Sequence, residues 1–272
     1  MRFRRIVVSL DTSDGAAMTT AVDLAHAFEA ELLGLFVEDV ELFNLAAFPF
    51  AGEVGFPSAV RRNLDVSAME RGLRAQAQRL RRDLSARVAG LPVKWTFEVV
   101  RGRAFAELRA AAEARDLVIV SVPRTASGSG GARAQAVQAF HGLSAPVLLT
   151  SESSRDSTSI RVVASPRAAA AEIADVVAAL APSYGRSALF VLVDAHPPHW
   201  EAWQRELRSF LAAHGISVRF RTLANADPAT LARVIVEERS TLVVALAREA
   251  ASRDALLDAL PCPLLVLPEH AS

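Results

Sequence analysis

Short apolar runs recur along the first half of the chain, separated by more polar segments. The runs are rich in valine, isoleucine and leucine, and this composition over a few residues is typical of buried strands. The pattern predicts five strands: Arg5–Leu10, Leu32–Val37, Trp95–Val100, Leu117–Val122 and Pro146–Thr150.

The segments between these runs have the spacing of helices. Thr12, Ser13 and Asp14 offer N-caps for a first helix, in which apolar residues recur from Met18 to Phe28. A long helix is predicted from about Met69 to Val88, and a shorter one over Phe105–Ala114. The long helix has an apolar stripe with most of its arginines off that stripe. The stripe consists of Met69, Leu73, Ala77, Leu80, Leu84 and Val88.

The second half repeats the order of elements in shorter form. Its predicted strands are Ile160–Ala164, Ala188–Val193, Ile216–Thr222, Leu242–Leu246 and Leu264–Leu267. Its predicted helices are Ala168–Leu180, Trp200–Ala213 and Pro228–Glu238, with Gly215 closing the second of them. The segment Ser151–Ser159 has no apolar residue and reads as a linker. We therefore predict two tandem domains, residues 1–152 and 158–272.

Alternation of apolar strands with helices defines an α/β fold. Strands that are apolar throughout are buried on both faces, so the sheets are predicted to be parallel and open, with helices on both sides. Two such sheets of five strands fit a chain of 272 residues.

Net charge, cysteine content and the length of apolar runs exclude several classes of protein. The chain has 30 basic and 30 acidic residues, so net charge gives no reason to expect a nucleic-acid or membrane partner. Cys262 is the single cysteine, which excludes an intrachain disulfide and favours a reducing compartment. The apolar run Ile6–Leu10 is too short for a signal peptide, and no run reaches the roughly 20 residues of a membrane helix. These features predict a cytoplasmic protein.

Four segments resemble the universal stress protein family. They are the opening strand with Asp11, the second strand Glu31–Glu38, the stretch from Val100-Arg101-Gly102 to Asp116–Val120, and the closing strand with Pro146. The resemblance covers nearly all of both halves, the second being more divergent. It implies an adenine nucleotide alpha hydrolase-like, Rossmann-like three-layer sandwich. It also implies that Val147–Thr150 and Leu264–Leu267 pair across a pseudo-two-fold axis.

Many members of this family bind ATP through a loop with two leading glycines and a closing Gly-Ser or Gly-Thr. Glycines let backbone N–H groups approach phosphate closely. Here Val122 and Thr125 stand where the leading glycines belong, and Arg133-Ala134 fall near the closing pair. What remains is Ser127, Gly128, Ser129, Gly130 and Gly131, which either form an anion nest helped by Arg124 or Arg133, or are a decayed Gly/Ser loop.

The resemblance also places three residues near the adenosine part of a nucleotide. Asp11 matches the acidic residue near ribose and adenine, although it equally suits a helix cap. Thr12 and Val37 are further candidates for the adenine pocket. In the second half, the corresponding loop from Leu246 to Leu256 contains no glycine and is shorter. No phosphate site is expected there.

The segment Leu42–Val60 has no counterpart in the second half. It contains four phenylalanines, Phe43, Phe48, Phe50 and Phe56, interrupted by glycine and proline. It is interpreted either as a lid or subunit contact, or as cover for the core.

No constellation of catalytic or metal-binding residues is evident. Asp194, His196 and His199 follow a strand but lack a further ligand, and two prolines stiffen their loop. Cys262 precedes Pro263 in a buried strand and is expected to be a core residue.

The sequence therefore predicts a non-enzymatic, universal stress protein-like regulatory or interaction protein of the bacterial stress response. The expected partner is an unidentified protein or a second copy of the chain, and no cofactor is expected. The alternative is a protein that binds ATP or AMP in the first half only.

Overall fold

One sheet of ten strands runs through the protein, in the order β10-β9-β8-β11-β12-β7-β6-β1-β2-β5. The computed structural model describes residues 3–10, 15–46, 52–54, 61–63, 66–122, 132–150, 159–164, 170–193, 197–223, 230–231, 233–234, 242–246 and 262–268.

The first half, up to Thr150, supplies five strands of this sheet. They alternate with helices and with a small hairpin. The elements are β1 (Arg5–Ser9), α1 (Gly15–Phe28), β2 (Glu31–Asp39), α2 (Val40–Ala46), β3 (Gly52–Val54), β4 (Arg61–Asn63), α3 (Val66–Val88), β5 (Trp95–Gly102), α4 (Ala104–Ala111), β6 (Asp116–Ser121), α5 (Ala132–Ala139) and β7 (Val147–Thr150).

The second half supplies the other five strands. Its described elements are β8 (Ser159–Ala164), α6 (Ala170–Tyr184), β9 (Ser187–Val193), α7 (Pro197–Ala213), β10 (Ser217–Leu223), β11 (Leu242–Leu246) and β12 (Leu264–Leu267). The predicted helix Pro228–Glu238 lies only partly within the described residues, where 230–231 and 233–234 are helical.

The two predicted sheets are halves of one continuous sheet. Within each half the strands are parallel, and β7 pairs with β12 in antiparallel fashion at the centre. Leu148 lies opposite Leu265, with the pairs on either side arranged symmetrically about them. The α/β class and the expected pairing of the two closing strands are thus confirmed.

Helices cover both faces of this sheet. On one face α1, α3, α6 and α7 pack on a core that runs through both halves. On the other face α4 and α5 pack on a second core, together with Leu231 and Val234. Apolar residues alternate between the two cores along each strand: Ile6 and Val8 belong to the first, Val7 to the second. Both faces of the sheet are therefore buried.

Three elements of the first half differ from the prediction. Residues 42–60, expected to be broken throughout by glycine and proline, begin as helix α2 and include β3. Strand β3 pairs with β4 in a two-stranded antiparallel hairpin apart from the main sheet. Helix α5 was not predicted, because its short alanine- and glutamine-rich sequence has little amphipathic pattern.

A buried ion pair ties the amino-terminal ends of β1 and β6 together. Asp116 is 1% exposed, and Arg5 donates to its Oδ2 from Nη2 at 2.6 Å and from Nε at 3.2 Å. This hydrogen bond to Asp116 raises the pKa of Arg5 above its ordinary value. Arg5 Nη2 also donates to the carbonyl oxygen of Ala111 at 2.8 Å, which fixes the end of α4.

Candidate functional site

The carboxyl ends of β1, β2, β5 and β6 meet at one edge of the first half. In an open parallel sheet this edge is where ligands bind, at the point where the strand order reverses. Here the reversal falls between β1 and β6, because β1 pairs with β2 on one side and with β6 on the other. The family resemblance predicts the nucleotide site at this edge.

Most of the predicted site residues lie outside the described part of the chain. These are Asp11, Thr12, Arg124, Ser127, Gly128, Gly130 and Gly131. The eighth, Val37, lies in β2 opposite Val100 and is partly buried against the second core. Val37 thus lies near the carboxyl end of β2, and its role at an adenine pocket stays a prediction.

Val122 occupies the position expected for the first phosphate-loop glycine. Its N–H group donates to the carbonyl oxygen of Thr150 at 3.0 Å, which continues the pairing of β6 with β7. Its side chain is 4% exposed and belongs to the second core. The backbone donor is therefore used within the sheet, and a branched side chain fills the space that a glycine leaves open.

A cluster of side chains around a single arginine, Arg101, lies beside Val37 at the same edge. Arg101, at the end of β5, donates to Glu38 Oε2 from Nη2 at 2.9 Å and from Nε at 3.0 Å. It also reaches Glu70 Oε1 of α3 at 3.3 Å, and its guanidinium lies 4.0 Å from the centroid of the Phe43 ring in α2. These contacts join the end of β2, the start of α3 and helix α2 through one side chain.

The hydrogen bond that Arg101 donates to Glu38 raises the pKa of Arg101 above its ordinary value, with Glu70 adding to the effect. Glu38 is largely buried, so the ion pair with Arg101 compensates for its lost hydration. We therefore assign Arg101 a structural role at the edge of the site.

An open cleft of about 500 Å³ adjoins the cluster. Its wall is the first turn of α4, and its rim carries an ion pair between Arg103 Nη2 and Glu41 Oε1 at 3.0 Å. Asp39 Oδ1 accepts the N–H of Glu41 at 2.9 Å and so caps the start of α2. The cleft is lined by Asp39, Glu41, Arg103, Ala104, Phe105, Ala106, Arg109 and Ala139. It has the size of a small-molecule site.

The sequence contained a signal for this edge that the prediction did not use. Glu38 and Asp39 end β2, Arg101 lies at the end of the neighbouring strand β5, and Arg103 directly follows β5. Opposite charges at the carboxyl ends of adjacent parallel strands predict contact between them. The partners became evident only with the register, in which Glu38 lies opposite Arg101.

Other candidate residues of the second half have structural positions. Cys262 is buried in the second core, as predicted. Trp200 is buried and lies edge-to-face with Trp203 at 4.9 Å, so both belong to the core. Asp194 and His196 fall outside the described residues. In the part of the chain that the structure describes, no group of three metal-ligating side chains comes together. No described helix is long and apolar enough to cross a membrane.

Comparison with known proteins gives the fold. The sequence matches no protein-family profile. No curated protein matches it significantly. The structure is similar to a universal stress protein from Archaeoglobus fulgidus, with 12% identity, a TM-score of 0.67 and coverage of 97% of this chain and 96% of that one.

Two further structures, both from Pseudomonas aeruginosa, are similar over nearly their whole length. One is a putative universal stress protein, with 18% identity, a TM-score of 0.54 and coverage of 98% of this chain and 93% of that chain. The other is a protein of unknown function, with 17% identity, a TM-score of 0.56 and coverage of 98% and 92%. The chain thus has the fold of universal stress protein structures, and the likeness extends through both halves.

Proposed function

We propose that this chain is a non-catalytic regulatory or interaction protein of the universal stress protein type. In this proposal its two domains, residues 1–152 and 158–272, act as an internal pseudo-dimer in the bacterial cytoplasm. It binds a protein partner or a second copy of itself, and its nucleotide-phosphate loop has been lost. The fold similarity over both halves supports the protein class.

The environment of Val122 carries the proposal that the phosphate loop is lost. A phosphate loop needs backbone N–H groups that point at the ligand and no side chain in the way. At the position of the first glycine, the N–H group is instead bonded to Thr150 and the side chain is buried.

The second half supports the same proposal by its composition. The segment from Leu246 to Leu256 has no glycine, so no residue there combines close approach with backbone freedom. The position that matches Asp11 falls at Ser165 or Pro166, neither of which carries an acid for a ribose. We propose that this half contributes structure and does not bind a nucleotide.

The alternative is a nucleotide-binding protein that uses the first half alone. Asp11, Thr12 and Val37 would hold the adenosine, and a nest of Gly128, Gly130 and Gly131 with Ser127 and Arg124 would hold phosphate. The open cleft beside the end of β2 favours this alternative, because it offers room for a small molecule at that edge.

Calorimetric titration of the full chain with ATP, ADP and AMP, each with Mg²⁺, distinguishes the two proposals. We expect no binding in the micromolar range. Micromolar binding that disappears in Asp11→Ala and persists in Asp83→Ala, an exposed site on α3, would establish the alternative. A parallel assay of phosphate release from ATP tests the non-catalytic part, which sustained turnover would contradict.

A further inference from the structure

Five of the six arginines of α3 lie on its outward side. All six are exposed, namely Arg71, Arg74, Arg79, Arg81, Arg82 and Arg87, but Arg87 donates to Thr19 Oγ1 of α1 at 2.6 Å and so lies towards that helix. Its acidic residues are Glu70 and Asp83, so the helix has four net positive charges. The whole chain is neutral. Charge is therefore segregated onto this helix.

Four of these arginines, Arg74, Arg79, Arg81 and Arg82, make at most one weak contact with an acidic side chain among the described residues. Arg74 lies 3.8 Å from Glu70, and both are accessible to solvent, so this pair contributes little. Arg82 donates only to a backbone oxygen of its own helix, that of Gln78, at 3.3 Å. Among the described residues, neither Arg79 nor Arg81 lies within 4.0 Å of an acidic side chain of α1 or α3. Their charge is directed to solvent.

The positions of the arginines around the helix give the surface its shape. Leu73, Ala77, Leu80 and Leu84 face the core, and Arg82 lies on the opposite ridge. At 3.6 residues per turn, Arg79 falls on one flank of this ridge and Arg74 and Arg81 on the other, about 140–160° away. A helix with cations on its ridge and both flanks suits a groove with anions along both walls.

The residues between the arginines indicate the kind of partner. The exposed positions from Arg71 to Arg87 otherwise hold Gly72, Ala75, Gln78, Asp83, Ser85 and Ala86. Nothing larger than alanine there is apolar, whereas the centre of a protein interface is apolar and often aromatic. None of these exposed positions of α3 holds an aromatic ring that could stack on an unpaired base. Arginine, glutamine and serine are among the side chains that contact phosphates of a duplex.

We propose that α3 is a docking surface for the phosphate backbone of duplex DNA, bound without sequence preference. The major groove of B-form DNA admits an α-helix, and its two walls are lines of phosphates. The deep, narrow major groove of duplex RNA does not admit one. The net charge of the chain, which is zero, gave no reason to expect a nucleic-acid partner. The concentration of positive charge on α3 gives one. The inference does not depend on the nucleotide site.

The test is fluorescence anisotropy of a short labelled DNA duplex titrated with the full chain at several salt concentrations. Four phosphate contacts predict a log–log slope of roughly −3.6, so affinity should fall about a hundredfold between about 50 and about 200 mM salt. R81Q/R82Q should make the slope less steep by about two. R205Q/R221Q removes the same charge from exposed positions of α7 and β10 and should leave the slope unchanged.

Controls keep the outcome decisive. R81K/R82K retains the charge and should restore binding, and circular dichroism of each variant verifies the fold. No binding at low salt overturns the proposal. Equal losses in R81Q/R82Q and R205Q/R221Q also overturn it, because the effect would then follow overall charge and not α3. Competition by poly-glutamate, anionic vesicles or duplex RNA as strong as that by unlabelled DNA excludes a DNA surface.

Discussion

Gly34 in the first half and Phe190 in the second occupy the same place in two equivalent strands. Ile6 lies opposite Leu32 in β2, and Ile160 lies opposite Ala188 in β9, which makes Gly34 and Phe190 equivalent by register. Over Gly34, the side chains of Leu10 and Leu84 close the space against the sheet. Phe190 instead packs between Trp203 and Phe220, with ring centroids 5.9 and 5.4 Å away.

The long helices of the two halves, α3 and α7, also differ in net charge. Helix α3 has four net positive charges, whereas α7 balances Arg205 and Arg208 with Glu201 and Glu206. All the exposed large apolar side chains of the described residues also belong to the first half, namely Leu42, Leu45, Val66 and Val99. Aromatic residues pack on the sheet of the second half, whereas the first half carries the charged helix and the exposed apolar side chains. Equal topology therefore does not imply equal function.

The largest expected effect concerns the strand pair that joins the halves. Leu265→Asp puts a carboxylate at a position 1% exposed, opposite Leu148. Because a buried unpaired charge is not compensated, we expect the free energy of unfolding to fall by more than about 4 kcal/mol. Urea denaturation followed by circular dichroism measures it. Val99→Asp, at an exposed position of β5, should stay within about 0.5 kcal/mol of wild type. Wild-type stability of Leu265→Asp would show that the halves do not share a buried seam.

Removal of the aromatic ring at Phe190 tests the core of the second half. Phe190→Ala leaves a cavity between Trp203 and Phe220, and we expect a loss of about 3–5 kcal/mol in urea denaturation. Phe210→Ala removes a ring that stacks on His214 and is only partly buried, so it should cost less than half as much. Similar losses in the two variants would contradict a special role for the ring cluster.

At the equivalent position of the first half, Gly34, a larger side chain should lower the free energy of unfolding, whereas at Phe190 a smaller one does. In Gly34→Ala the new Cβ would lie 2.8 Å from Leu10 Cδ1 and 2.9 Å from Leu84 Cδ2. Overpacking of this kind costs about 1–3 kcal/mol. Gly72→Ala is the matched control: a Cβ there meets nothing within 4 Å, and alanine should stabilise the exposed helix by up to about 1 kcal/mol. A stabilising Gly34→Ala would mean that the first core has room for a larger side chain.

The smallest expected effect is local to the contacts of Arg101. Arg101→Gln removes the bonds to Glu38 and Glu70 and the contact with Phe43, so amide exchange should become faster in α2 and in the first turn of α3. The free energy of unfolding should fall by less than in any of the three core substitutions, because Arg101 is half exposed and a glutamine amide can still donate to Glu38. Hydrogen exchange read by mass spectrometry measures the change. Arg74→Gln, which loses only the weak contact with Glu70, should leave α2 at the wild-type rate; equal rates in both variants would remove the special role of Arg101.

The fold could be predicted from the sequence more completely than the site. The strands β1, β11 and β12 were predicted to within a residue of their observed ends, because an uninterrupted apolar run has one low-energy environment. Helix α5 was missed, because its burial depends on neighbouring elements and not on its own pattern. The nucleotide-loop prediction rests on residues outside the described part of the chain and stays a prediction.

The burial of Arg161 could not be predicted from the pattern of apolar and polar residues. It lies within an apolar run and was predicted to be in a strand, as observed. Its equivalent in the first half by register is Val7, yet Arg161 is 2% exposed, with Nη1 3.4 Å from the carbonyl oxygen of Ile160. Whether a polar residue in a strand faces solvent or a core depends on what covers that face, and the strand alone does not contain this information.

The sequence by itself determined the α/β class, the duplication and the absence of charge bias, since these depend on local periodicity and on composition. The tertiary structure alone decided which residues meet: Leu148 lies opposite Leu265 where β7 and β12 join the halves, and Glu38 meets Arg101. The physical reason is register. Contacts between residues far apart in the chain depend on which strands pair and in which alignment, and only the packed chain selects that alignment.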